Sequence, residues 1–274
     1  MRALARPILL SLLLALPLAA QEQQQPPLAQ QPDEARAATR YAADAWPAPG
    51  PRQAGLAVAE LEVEGWERRS LEVDPERAEA VLTFAPAGHK RPAALLRLAL
   101  APHWKEARRA LLLRLGAVQS KLEPEPGPWD VAFAARVEGQ LQLLLAARGE
   151  ATLALQRIGD GGQLEAIARA AEQLVLRAPK LVRDQPRPAP RLLAAQLGPP
   201  AEESGARPLR LEWDPAAPAG QHLRFEPPPG VGLLRGEDGT WHVQGAPPGP
   251  LRLVAWAASG ELQSARLELQ LDAR

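Results

Sequence analysis

Residues 140–177 read QLQLLLAARGEATLALQRIGDGGQLEAIARAAEQLVLR, and this stretch decides the fold of the N-terminal half. Gln140–Ala147 and Ala151–Ile158 are predicted strands, joined by the turn Arg148-Gly149-Glu150, in which glycine supplies the positive φ of a tight turn. From Gln163 to Arg177, apolar residues recur at three- and four-residue steps, which predicts an amphipathic helix. The stretch therefore predicts antiparallel strands followed by a helix that covers them.

Further strands and one more helix are predicted upstream of this stretch. Val81–Phe84, Ala94–Leu100 and Asp130–Arg136 have the composition of strands. His103–Lys121 is predicted to be a helix, because its apolar residues fall on one stripe. The order of these elements predicts an α+β domain over residues 54–178, an antiparallel sheet with two helices on one face.

Residues 191–274 alternate short apolar runs with glycine- and proline-rich turns. In the last run Leu267, Leu269 and Leu271 alternate with polar residues, which predicts one buried and one solvated face. Short strands at this spacing are typical of a β-sandwich. The predicted strands are Leu192–Leu197, Leu209–Trp213, His222–Phe225, Gly239–Val243, Leu251–Ala257 and Gln263–Leu271.

The turns of this C-terminal half resemble those of a known family. They read PPG at residues 228–230, DGTW at 238–241 and G-x-P-x-G at 245–249, and this succession resembles bacterial Ig- and cadherin-like repeats. The resemblance implies an all-β Ig-like sandwich that serves adhesion, spacing, or glycan and protein binding in exported proteins. The acidic calcium-ligand motif of cadherins is missing from the sequence, so the resemblance does not imply that this chain binds calcium.

The N-terminal domain has a weaker resemblance. Residues 147–150, the strand after them and Ile167-Ala168-Arg169 on the closing helix are similar to uncharacterised secreted bacterial proteins. That resemblance covers a short stretch and implies a shared fold with no known activity.

The first twenty residues predict export. Arg2 and Arg6 form a positive head, Ile8–Leu16 is apolar apart from Ser11, and Leu18-Ala19-Ala20 precedes Gln21. This three-part order predicts a cleaved signal peptide over residues 1–20. The apolar run is shorter than the ~20 residues that an uncleaved membrane anchor needs. We therefore expect a periplasmic or extracellular protein without a transmembrane segment after cleavage.

Two segments are predicted to lack a packed structure. Residues 21–53 are rich in Gln, Pro and Ala and are predicted to form a disordered tether, in which Ala35–Asp44 has the composition of a short helix. Residues 179–190 are rich in proline and are predicted to form an extended linker. The predicted order is therefore signal peptide, tether, α+β domain, linker and sandwich.

Composition and motifs exclude several classes of function. The 32 Lys and Arg residues balance 32 Asp and Glu residues, so nothing indicates a nucleic-acid partner. Cysteine is absent, and the four histidines (residues 89, 103, 222 and 242) lack the spacing of a metal site. Gly159-Asp160-Gly161-Gly162 is interpreted as a turn in which Asp160 caps the next helix, in preference to an anion site. We predict no cofactor and no metal.

No catalytic residue is predicted either. The sequence has no Gly-X-Ser-X-Gly motif for a nucleophile. Paired carboxylates occur at many places in the sequence, so a pair of them does not by itself indicate a catalytic site. The run Glu60-Leu61-Glu62-Val63-Glu64 illustrates this, because its alternation predicts a strand with one solvated face.

Tryptophan is the unusual component, with seven Trp against one Tyr and three Phe. In the strand 251–257, the alternation puts Leu251, Leu253 and Ala255 in the core and Arg252 and Trp256 on the other face. Trp and Arg are enriched in interface hot spots, so these two are the candidate binding residues. The alternative is that Trp256 closes the far side of the sandwich or packs on the first domain.

The function predicted from these observations is a non-enzymatic binding or assembly module of the bacterial cell envelope. Its expected partner is a protein or an envelope glycan. Two alternatives remain open, an extracytoplasmic hydrolase and a small-ligand carrier, each with its site in the α+β domain.

Overall fold

A computed structural model describes residues 32–182, 184–247 and 249–273. The predicted signal peptide and residues 21–31 of the predicted tether lie outside the described residues. Within them, three α-helices are α1 (Pro32–Arg40), α2 (Trp104–Ala117) and α3 (Leu164–Arg177). The strands are β1 (Trp66–Asp74), β2 (Glu79–Pro86), β3 (Ala94–Leu100), β4 (Glu123–Pro124), β5 (Val131–Val137), β6 (Gln140–Arg148), β7 (Ala151–Arg157), β8 (Leu192–Leu197), β9 (Arg207–Trp213), β10 (His222–Glu226), β11 (Gly232–Arg235), β12 (Trp241–Gln244), β13 (Gly249–Ala258) and β14 (Ser264–Ala273).

The N-terminal part is built on a seven-stranded sheet in the order β1-β2-β3-β7-β6-β5-β4. Every pair of neighbours is antiparallel, as predicted. β6 and β7 lie inside this sheet and are apolar on both faces. Leu144 and Ala146 belong to the core that contains α3, whereas Leu145 and Ala147 belong to the core that contains α2.

The prediction that both helices lie on one face of the sheet is wrong. α3 packs on one face through Leu164, Ile167 and Val175, while α1 and α2 pack on the opposite face. A strand that carries apolar residues on both faces has to be covered on both. β6 and β7 impose that condition, so the helices divide between the two faces.

The C-terminal part consists of two antiparallel sheets, in the orders β10-β13-β14 and β11-β12-β9-β8. The sheets share one core, to which the first contributes Leu253 and Leu269 and the second Leu209 and Val243. Each predicted strand is present, with its ends within two residues of the prediction. β11 was not predicted, because it is short and its Leu234 is exposed.

The prediction of a disordered tether is wrong for residues 34–53. Ala37 and Ala43 are buried in the core that contains α2, and Gln53 is fully buried. Tyr41 packs edge-on against Phe133, with ring centroids 4.8 Å apart. This segment is anchored by contacts with residues far along the chain, which local composition does not report.

The prediction of a strand over Glu60–Glu64 is also wrong. A 3-10 helix occupies Val58–Glu60, and residues 61–65 after it belong to no strand. The alternation itself is observed, since Leu61 and Val63 are buried while Glu62 is exposed. The strand at this edge of the seven-stranded sheet is β1, which follows the Glu60–Glu64 run. It was not predicted, because its composition is mostly charged.

The two parts of the chain contact each other directly. Leu262, in the turn between β13 and β14, belongs to the N-terminal core that also contains Leu56. The Leu56 backbone N–H donates to the Glu261 carbonyl at 2.7 Å, and Gln263 Nε2 donates to the Ala54 carbonyl at 3.1 Å. This turn therefore holds the C-terminal sheets against the segment that precedes β1.

Candidate functional site

The predicted binding residues Arg252 and Trp256 lie on β13, on the outer face of the three-stranded sheet. Leu251, Leu253 and Ala255 are buried, as the alternation predicts. Arg252 is exposed and makes no hydrogen bond or ion pair with the described residues, whereas Trp256 is half-buried. Within the described residues, Arg252 is thus a cation without a counter-charge on this face.

Trp256 lies between two arginines, in register with Arg224 on β10 and Arg266 on β14. Arg224 Nη1 donates to Glu76 Oε2 at 2.7 Å, which links the sheet to the N-terminal part. Arg266 pairs with Glu268 at 2.6 Å. Both flanking charges are therefore neutralised, and the tryptophan lies near the junction between the two parts.

The four histidines lie on four different segments of the fold. His103 is the N-cap of α2, and its Nδ1 accepts from the Lys105 backbone N–H at 3.1 Å. His222 and His242 lie in different sheets. Burial and the nearby charge of Arg235 lower the pKa of His222. Across the described ranges, no group of three or more His, Asp and Glu residues is placed to hold a metal ion.

Gly159–Gly162 forms the connection between β7 and α3. The prediction that Asp160 caps the helix is wrong, because the N-cap is Gln163 and no side chain caps it. Arg157 instead donates to the carbonyls of Gly161 and Gly162, at 3.0 and 3.1 Å. A Cβ on Gly162 would lie 2.3 Å from the Trp66 ring, so the turn packs tightly under that ring.

A cleft of about 780 Å³ opens between the segment before β1, the start of α2 and the turn between β6 and β7. We call it the Trp104 cleft. A smaller hollow beside it reaches Trp46, Arg108 and Asp130. The residues that line the cleft are Pro49, Gly50, Pro51, Arg52, His103, Trp104, Gly149, Glu150, Leu181 and Asp184.

One carboxylate joins two walls of the Trp104 cleft. Asp130 Oδ2 accepts from the backbone N–H groups of Gly50, at 2.7 Å, and Gly149, at 2.5 Å. A Cβ on Gly50 would lie 2.6 Å from Asp130 Oδ1, and one on Gly149 would lie 2.5 Å from the Pro51 carbonyl oxygen. This wall therefore requires glycine at position 149, where the backbone φ is +55° and the close atom is backbone, whereas a side chain at position 50 would displace the Asp130 carboxylate.

Glu150 fixes the floor of the cleft and is almost fully buried, at 2% exposed. Its Oε1 accepts from Arg52 Nε at 2.8 Å, and its Oε2 pairs with Arg187. Arg187 also donates to the Ala101 carbonyl at 3.0 Å. Burial lowers the pKa of Arg187, and the Glu150 carboxylate opposes that shift. The predicted linker is thereby attached to the N-terminal part.

The Trp104 cleft combines an aromatic surface with charged groups. Trp104 is half-buried, with Lys105 Nζ 5.9 Å from its ring, and Arg108 lies 5.0 Å from the neighbouring Trp46 ring. Asp184 makes no hydrogen bond or ion pair with the described residues. The cleft thus presents to a ligand an indole face and a carboxylate that no described residue pairs.

Sequence reasoning missed this cleft. Arg52 belongs to the predicted tether, Asp184 to the predicted linker, and Trp104 to the predicted helix His103–Lys121. The available signal was the cluster of tryptophan and proline at residues 46–51, which is uncommon in a flexible tether.

Comparison with known proteins identifies no relative: no protein family, no curated protein and no solved structure matches this chain. The resemblance of residues 191–274 to Ig- and cadherin-like repeats therefore stays a prediction. No helix within the part of the chain that the structure describes has both the length and the hydropathy to cross a membrane.

Proposed function

We propose that this chain is an exported, non-enzymatic binding protein of the bacterial cell envelope, and that it binds an envelope glycan in the Trp104 cleft. The observation that carries the proposal is the half-buried Trp104 ring in a cleft of about 780 Å³ that Arg52, Glu150 and Asp184 also line. That volume lies within the ~300–1,000 Å³ range of small-molecule sites.

The chemistry of the cleft fits a sugar chain. A pyranose ring has an apolar face of C–H groups and an edge of hydroxyls, and an indole offers a large amphipathic surface to such a ligand. Hydrogen bonds from hydroxyls to a charged group are stronger than neutral ones, and Asp184 is available to accept them.

The finer architecture belongs to the same proposal. Residues 54–178 form an α+β domain, and residues 191–274 form an Ig-like sandwich that supports it at the cell surface. The single core shared by the two C-terminal sheets supports the sandwich. The turn that carries Leu262 supports a fixed orientation between the two domains.

Export is tested by the N-terminus of the mature protein. Because the first twenty residues have the order of a signal peptide, mass spectrometry of the extracytoplasmic fraction is expected to find a chain that begins at or near Gln21. Recovery of the chain only from the cytoplasm, still beginning at Met1, would contradict export.

Binding is tested by a tryptophan substitution in the cleft. Trp104→Ala is expected to weaken binding of the mature protein to purified peptidoglycan sacculi by about 30-fold, the ~2 kcal/mol scale of a hot spot. Cosedimentation at increasing sacculus concentration measures this affinity. Thermal denaturation checks folding, and Asp184→Asn is expected to weaken binding to a smaller extent.

The outer face of the three-stranded sheet is the second candidate surface. The exposed Arg252, which no described residue pairs, and the half-buried Trp256 on the same strand face support it. In the same assay, loss of binding by Arg252→Ala and Trp256→Ala, with Trp104→Ala unaffected, would assign binding to this face. Release of soluble sugar from the sacculi would instead favour the hydrolase alternative.

A further inference from the structure

A second concavity of about 550 Å³ lies on the same face of the seven-stranded sheet as α2, near the C-terminal end of that helix. We call it the Arg114 groove. Leu143, Leu145 and Ala154 from β6 and β7 line it, and Val118 follows the end of α2. Leu143 and Val118 are only partly buried, so apolar surface is open to a ligand.

Two arginines at the groove share one carboxylate. Glu79 Oε1 accepts from Arg97 Nη1 at 2.9 Å, and Glu79 Oε2 accepts from Arg114 Nη2 at 3.2 Å. The second terminal nitrogen of Arg114, Nη1, is buried and has no hydrogen-bond partner among the described residues. A buried N–H donor without a partner is unfavourable, so an acceptor supplied by a ligand would be stabilising.

The charge of the groove is complementary to an anion. None of the residues that line it is acidic. Three arginines line it, Arg97, Arg114 and Arg157, and the single carboxylate of Glu79 opposes the first two. Burial lowers the pKa of Arg114, and Glu79 only partly offsets that effect. An added carboxylate would relieve both the charge excess and the missing hydrogen bond.

We propose that the Arg114 groove binds a single-chain amphiphile with a carboxylate head, a medium-chain fatty acid. The carboxylate lies against Arg97 and Arg114, and the acyl chain lies along Leu143 and Leu145. A groove of this volume has the size of a small-molecule site, which favours one short chain over a phospholipid with two. This site is separate from the Trp104 cleft and does not depend on it.

The ligand class is tested by titrating the mature protein in a calorimeter with four probes. Sodium decanoate is expected to bind with one site per chain. Decanol, inorganic phosphate and phosphatidylglycerol vesicles are expected to bind at least about tenfold more weakly. Decanol lacks the carboxylate, phosphate lacks the acyl chain, and a phospholipid with two chains is too large for the groove. Absence of decanoate binding, or equal binding of decanol, would overturn the proposal; preferential binding of the vesicles would replace it with a lipid surface.

The position of the site is tested by variants at the groove. Arg97 and Ala117 are exposed, so their replacement leaves the core intact. Arg97→Ala is expected to weaken decanoate binding about tenfold, and Ala117→Trp is expected to abolish it by filling the groove. Arg210→Ala, an exposed arginine of the C-terminal part, is the matched control and is expected to bind decanoate normally. Equal affinity in Arg97→Ala and the control would show that the fatty acid binds elsewhere.

Discussion

Leu253→Asp is expected to unfold the C-terminal pair of sheets. Leu253 is 1% exposed on β13, in register with Leu269 and inside the core that both sheets share. An aspartate there would place a carboxylate among apolar side chains with no partner, which is among the most destabilising single changes. Because a domain is stable by only about 5–15 kcal/mol, a loss above ~4 kcal/mol removes most of the stability of a domain at the lower end of that range.

Near-ultraviolet circular dichroism and urea denaturation measure this effect. The matched control is Arg252→Asp, which introduces the same side chain one residue away on the exposed face. Its free energy of unfolding is expected to change by no more than about 0.5 kcal/mol, as for most surface substitutions. If Leu253→Asp unfolds cooperatively with the same urea midpoint as the wild-type protein, this face of β13 does not belong to the core.

Glu150→Ala is expected to lower the free energy of unfolding by about 3–5 kcal/mol. The substitution removes the carboxylate that Arg52 and Arg187 share and leaves the Arg187 side chain, 15% exposed, without its counter-charge. Removing one partner of a buried ion pair costs this much because the remaining charge stays desolvated. Urea denaturation of the mature chain measures the loss.

A local measurement distinguishes this effect from general destabilisation. Arg187 holds the proline-rich segment 179–190 to the Gln53 and Ala101 carbonyls, so Glu150→Ala is expected to make that segment the first site of limited proteolysis. The control is Glu203→Ala, an exposed position. If Glu150→Ala is as stable as this control and is cleaved as slowly, then the ion pairs of Glu150 with Arg52 and Arg187 do not hold the segment.

Most strands and the three α-helices of the described residues could be predicted from sequence, because their signal is local. α1 (Pro32–Arg40) overlaps the short helix predicted over Ala35–Asp44. The alternation of apolar and polar residues in β13 and the helical period of apolar residues in α3 each lie within one element, and both were confirmed. β1 escaped detection since its sequence, WERRSLEVD, is mostly charged, as suits an edge strand that pairs only with β2. β11 escaped for a similar reason, being a short edge strand with exposed residues.

The Trp104 cleft was beyond such reasoning, because its walls come from segments that are far apart in the chain. Arg52 and Glu150 are separated by 98 positions, and Arg187 reaches the Gln53 carbonyl across 134. No period within one element indicates that these side chains meet. The same holds for the Arg114 groove, where Glu79 meets Arg114 across 35 positions.

The sequence by itself determined most of the strands and helices, and the apolar face of each of these, because backbone preference and side-chain alternation act over a few residues. Tertiary structure alone decided which face of the sheet each helix covers, and that residues 34–53 and 179–190 are anchored to the core. It also brought Trp104, Arg52 and Asp184 to one cleft. These outcomes depend on burial and charge pairing between distant residues, whose free energy exists only once the chain is compact.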